Sequence, residues 1–176
     1  MPFLLTASAV LVLMSGGATA SDGNPIGPAA DGHMQCYKPN EQTKTCQSIA
    51  GYRALGDGRY ENVATILLSP KGPVTFESST IVEIKSGAVC GPVSANDIAK
   101  GKLRVAGRLL TDDQAAPILA RITQAMAPTF DKEICTTYQA SGSDLIAKGV
   151  IKGFDRPVPD QPVKWISPND GYTVGP

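Results

Sequence analysis

The chain has 176 residues, and its 16 Lys plus Arg balance 16 Asp plus Glu, so the formal net charge is zero. A net charge of zero argues against a nucleic-acid partner, whose affinity comes mainly from a basic surface, and equally against an electrostatic membrane binder. Eighteen Gly and fourteen Pro describe many turns between short elements, not a helical bundle.

Phe3 to Met14 is almost wholly apolar, Ser15-Gly16-Gly17 interrupt it, and Ala18-Thr19-Ala20 offers an A-x-A cleavage pattern. This is the layout of a secretory signal peptide over residues 1–20, although no Lys or Arg precedes the apolar run. The run is shorter and more broken than the ~20 apolar residues of a membrane span, so none is expected after cleavage. Residues 21–33 are rich in Gly, Pro, Ala and Asp, with Ile26 their one large apolar residue, and read as a disordered linker. Residues 34–176 are expected to form a single domain.

Within that domain, Pro39-Asn40 opens a polar turn between Cys36 and Cys46. Ile49 to Leu55 suits a strand, and Gly56-Asp57-Gly58 a turn. Tyr60 to Leu68 fits helical spacing and strand composition alike. After the turn at Pro70–Pro73, Val74 to Lys85 reads as a strand, Gly87 breaks it, and Ala88 to Cys90 continues as another. Ser94 caps one helical turn that Gly101 stops, and Lys102 to Leu110 is a strand bent at Gly107.

The clearest helix starts at Thr111. Gln114 completes a capping box with it, and Asp112 and Asp113 suit the positive end of the helix dipole. Ala115, Ile118, Leu119, Ile122, Ala125 and Met126 recur on one face of a 3.6-residue period. Pro117 calls for a late start or a kink, since an interior proline costs ~3 kcal/mol. Glu133 to Gln139, Leu145 to Phe154 and Val163 to Ile166 complete the strands. The sum is an α+β domain: an antiparallel sheet with one main amphipathic helix packed on it, stapled by two disulfides.

An exported chain meets oxidising conditions, so Cys36, Cys46, Cys90 and Cys135 are expected to pair. Four cysteines allow three pairings. The short polar loop favours Cys36 with Cys46, which leaves Cys90 with Cys135. Cys90-Gly91-Pro92 is followed by Val93, so the second cysteine of a Cys-Gly-Pro-Cys redox motif is missing.

Catalytic chemistry finds little support. His33 is the only histidine and lies in the expected linker, which disfavours a nucleophile triad and, with oxidised thiols, a zinc site. Asp112 and Asp113 are helix-start residues. Asp155, Asp160 and Asp170 lack the alternation of a calcium loop. Lys102 and Arg104, within the basic run Lys100 to Arg108, share a strand face that suits an anionic partner. Trp165 and Tyr172 are candidate sugar-stacking aromatics. The sequence thus reads as a non-catalytic exported binding or interaction domain, periplasmic or secreted and without a cofactor. Its partner is a protein or a cell-envelope component. The alternative is a carboxylate-based hydrolase or lyase, or an inhibitor of a secreted enzyme presenting the Ser69–Pro73 loop. Convergent carboxylates in a concave pocket would favour the enzyme.

Cleavage after Ala20 predicts an exported protein that begins at Ser21. Intact-mass analysis checks this, and recovery of the full-length chain from the membrane fraction overturns it.

Overall fold

The computed structural model describes residues 23–154 and 157–176. The expected leader, its cleavage site and Asp155 lie outside the described residues. In chain order the first strands are β1 (Met34–Tyr37), β2 (Thr45–Cys46), β3 (Ser48–Gly56), β4 (Arg59–Ser69), β5 (Val74–Lys85) and β6 (Ala88–Pro92). Helix α1 (Ala95–Ala99), the short strands β7 (Lys102–Val105) and β8 (Arg108–Leu109), and helix α2 (Asp112–Met126) follow. The chain then forms β9 (Glu133–Ser141), β10 (Asp144–Ile151), β11 (Gln161–Ile166) and β12 (Thr173–Val174).

Eight of these strands make a closed antiparallel barrel in the order β1-β3-β4-β5-β6-β9-β10-β11. The ring shuts where β11 pairs with β1, placing Ile166 opposite Met34. This corrects the expected α+β architecture. There is no open sheet with a helix laid on one face, because the sheet curls until its two edges pair with each other. Tyr60 to Leu68, ambiguous by pattern, is strand because β3 and β5 pair with both of its edges. Two-residue turns with positive φ at both positions keep the meander tight: Asp57-Gly58, Ser86-Gly87 and Ala106-Gly107. The last of these turns the bend expected at Gly107 into a β7–β8 hairpin.

Helix α2 keeps its expected start and cap and all of its expected face except Ala125, which is exposed. Thr111 and Gln114 form the capping box. Ala115, Ile118, Leu119, Ile122 and Met126 pack with Phe76 of β5, Ile98 of α1 and Leu103 of β7. Pro117 neither delays nor ends the helix. The amide it lacks would bond the carbonyl of Asp113, and Asp113 is exposed, so water can serve that carbonyl.

Residues 23–33 are not a structureless linker. Gly27–Asp31 forms a 3-10 turn, and Ile26 is only 1% exposed. Ile26 packs among Val82, Val89, Tyr52, Tyr60, Tyr138 and Trp165, closing the barrel at the end where β5 finishes. Composition hid this because one apolar side chain carries the attachment. A second small cluster lies outside the wall. There Cys36, Cys46 and Ile166 pack with Met34, Ile49 and Tyr172, beneath the parallel β2–β12 pair.

Both disulfides join the expected partners. Cys36–Cys46 spans a Cα–Cα distance of 5.4 Å, and Cys90–Cys135 spans 4.1 Å between residues directly opposed on β6 and β9. Such bridges are consistent with an oxidising environment. Among the described residues no helix is long and apolar enough to cross a membrane.

Ile26→Ala should cost about 2–5 kcal/mol of stability, as for a buried aliphatic in a packed core. Denaturant melts measure it, and a change within about 0.5 kcal/mol would restore the linker reading.

Candidate functional site

An eight-stranded barrel has an interior wide enough to be filled by side chains or to hold one small ligand. Here one part is filled by a polar knot. Gln35 of β1 is fully buried, and its Oε1 accepts from the hydroxyls of Tyr37 at 3.0 Å, Tyr52 at 2.8 Å and Tyr138 at 3.1 Å. The Tyr37 and Tyr138 oxygens also lie 2.8 Å apart. Burial pushes the Tyr37 phenol far above its ordinary range, and Tyr138 beside it adds to the shift. Burial likewise raises Tyr52, with Tyr138 and Tyr37 contributing. A phenolate has no compensating cation among these partners, so the knot stays neutral and structural.

The other part of the interior is a cleft, and the chain insertion between β6 and β9 builds it. β5 pairs with β7 through Val74–Glu77 and with β6 through Glu83–Lys85, which leaves its middle unpaired on that side. α1 sits against this gap. Ser94 Oγ caps α1 by accepting from the Asp97 amide at 3.1 Å, and Thr80 Oγ1 donates to Asp97 Oδ2 at 3.1 Å, tying α1 to β5. Gly101 follows, and a Cβ there would collide with the Phe76 ring, so the chain can pass this close only as glycine. Between the wall and α2 remains a cavity of about 220 Å³. Ile66, Phe76, Pro92, Val93, Ile98, Ile122 and Met126 give it an apolar lining, with Ser78, Thr80, Ser94 and Asp97 as its polar groups.

On the opposite side of α1 runs an outer groove of about 410 Å³, bordered by Glu61, Glu77, Asp97, Lys100 and Lys102. This is the concave carboxylate cluster that the hydrolase alternative requires. Two of its three carboxylates, Glu61 and Glu77, are already paired with cations. Glu61 accepts from Ser79 at 2.8 Å and pairs with Arg53 at 2.6 Å, and these partners hold it below the usual carboxylate range. Glu77 pairs with Lys102 at 3.3 Å. A general acid needs the opposite environment, one that raises its pKa.

The residues singled out by sequence are scattered. Trp165 faces the barrel interior in the cluster around Ile26. Tyr172 lies outside the wall, donates to Glu41 at 2.7 Å and has Lys44 over its ring at 4.7 Å. The two aromatics therefore do not form one stacking platform. Lys102 and Arg104 do share a face of β7, opposite the buried Leu103, but Lys102 is engaged by Glu77. Asp160 lies 3.7 Å from Lys148, and Asp170 accepts the Ser167 amide. Cys90, Cys135 and Glu133 lie together, but the sulfurs are spent in the disulfide and offer no thiolate to a metal. Sequence reasoning missed the cleft residues Phe76, Ser78, Thr80 and Asp97. The available signal was the capped turn at Ser94, which fixes where Asp97 points.

No protein-family model matches the chain, and neither the curated proteins nor the solved structures contain a match to it.

The tyrosine knot sets a pH dependence. Unfolded phenols ionise near pH 10, whereas folded Tyr37 and Tyr52 keep their protons higher. Above about pH 10 the native state therefore binds more protons than the unfolded one. Stability should be intact below that pH and fall as pH rises through it. Ultraviolet titration should show at least two of the five tyrosines ionising only as the chain unfolds. Free ionisation of all five near pH 10 would contradict the knot.

Proposed function

We propose that this chain is an exported, non-catalytic binding protein, periplasmic or secreted, whose ligand is a small molecule held in the cleft between α2 and the inner wall of the barrel. The cleft is the observation that carries the reading. It is concave, mainly apolar and furnished with a few convergent polar groups, which is the usual make-up of a small-molecule site. The two disulfides and the signal-like leader support the compartment. This reading departs from the partner expected from sequence, a protein or cell-envelope component, in favour of a small molecule of that environment. Because Glu61 and Glu77 of the outer groove are each paired with a cation, no pair of free carboxylates remains there, which weighs against the hydrolase alternative.

A small-molecule library tested by thermal shift on the disulfide-bonded protein examines the reading. A true ligand at a hundred times its Kd stabilises by about 2.7 kcal/mol, equivalent to roughly 5–10 °C in a chain of this size. Ser78→Phe fills the cleft from β5 and should abolish that shift while the free protein still melts cooperatively. A shift that persists unchanged in Ser78→Phe places the ligand elsewhere and overturns the proposal.

A further inference from the structure

We infer that the cleft selects a small hydrophobic amine, with its protonated nitrogen on the Asp97 carboxylate and its apolar body against Phe76, Ile122 and Met126. The inference rests on the binding reading above and adds the chemical class of the ligand. Size comes first. About 220 Å³ lies below the ~300–1,000 Å³ of sites for drug-sized molecules, and equals roughly seven waters at ~30 Å³ each. The part of the occupant that the cleft encloses is therefore compact.

Charge comes second. Asp97 is the one charged residue in the lining. Its Oδ2 accepts from Thr80, and among the described residues no Lys or Arg nitrogen lies within 4.0 Å of its carboxylate. An ionised carboxylate offers about four acceptor positions, so one hydroxyl leaves most of them open. Of the two outer-groove cations, Lys102 is committed to Glu77, and Lys100 comes within 4.0 Å of no carboxylate among the described residues, Asp97 included. A carboxylate beside apolar walls repels an anion and gives a neutral hydroxyl one ordinary hydrogen bond. To an ammonium it offers a charge-assisted bond about twice as strong. The remainder of the lining, an aromatic ring, aliphatics and a thioether, suits an apolar body and tolerates some variety in its shape.

The test uses three probes of similar body on the full disulfide-bonded protein: phenethylamine, 2-phenylethanol and phenylacetate, titrated by calorimetry at neutral pH. Phenethylamine should bind about tenfold or more tighter than 2-phenylethanol, and phenylacetate should not bind. Asp97→Asn, which keeps an acceptor for Thr80, should bring phenethylamine down to the alcohol's affinity and leave the alcohol within about threefold. The probe series on the wild-type chain decides the matter even where that variant folds poorly. Equal affinity for amine and alcohol, with both lost in Ser78→Phe, overturns the amine assignment and leaves the cleft as the site. Failure of all three probes overturns the amine assignment and leaves the cleft reading to the library screen, whereas binding that survives Ser78→Phe overturns both readings.

Discussion

Pairing between β11 and β1 is the interaction on which the rest of the molecule depends. Without it the meander is a curled sheet with two open edges, each presenting unpaired amides and carbonyls to solvent or to other chains. With it every strand of the wall has two neighbours and an enclosed interior exists. Two external features reinforce that seam. The Cys36–Cys46 bridge fastens β1 to β2, and β2 pairs with β12, which follows β11. Ile166, the residue opposite Met34, is buried in the same outer cluster as this disulfide. Closure and the first disulfide thus act on one stretch of wall.

An enclosed interior must be filled or must hold something, and this barrel does both. At one end Ile26, the aromatics and the Gln35 knot occupy the space. At the other, the insertion from α1 to α2, which links β6 to β9 in sequence, leaves part of the interior open. The Cys90–Cys135 bridge joins the two strands from which that insertion leaves and to which it returns. It fixes the base of the insertion, so α1 and α2 meet the cleft from a constrained support. Preorganisation of this kind lowers the entropy a ligand must overcome on binding.

Much of the local structure was legible in the sequence. The strands β3, β5, β6 and β9 to β11, the cap at Ser94, the helix from Thr111 and the Cys36–Cys46 pair follow from alternation, turn residues, capping chemistry and loop length, and Cys90–Cys135 is what that pair leaves. These signals act within about ten residues. Closure does not. Nothing near Met34 announces Ile166, because pairing partners are set by accumulated twist and register along eight strands. The error at Ile26 has a related cause. A single buried side chain in a Gly- and Pro-rich stretch carries no periodicity, so burial there depends wholly on what the rest of the chain builds around it. The cleft was hidden for the same reason. Phe76 and Thr80 read as ordinary strand residues, and only the gap along β5 exposes them to α1 and α2.

That seam also governs how the molecule comes to exist in time. Every other wall contact joins strands adjacent along the meander or flanking its single insertion, whereas the seam joins residue 34 to residue 166. Contacts so distant along the chain form late and slow the search for the native state. Until β11 is available the partly built barrel carries two raw edges, and its apolar interior is open to water and to other chains. The interval before closure is therefore when this chain is most exposed to misassembly, and its most vulnerable species is an almost complete barrel that lacks only its final stave.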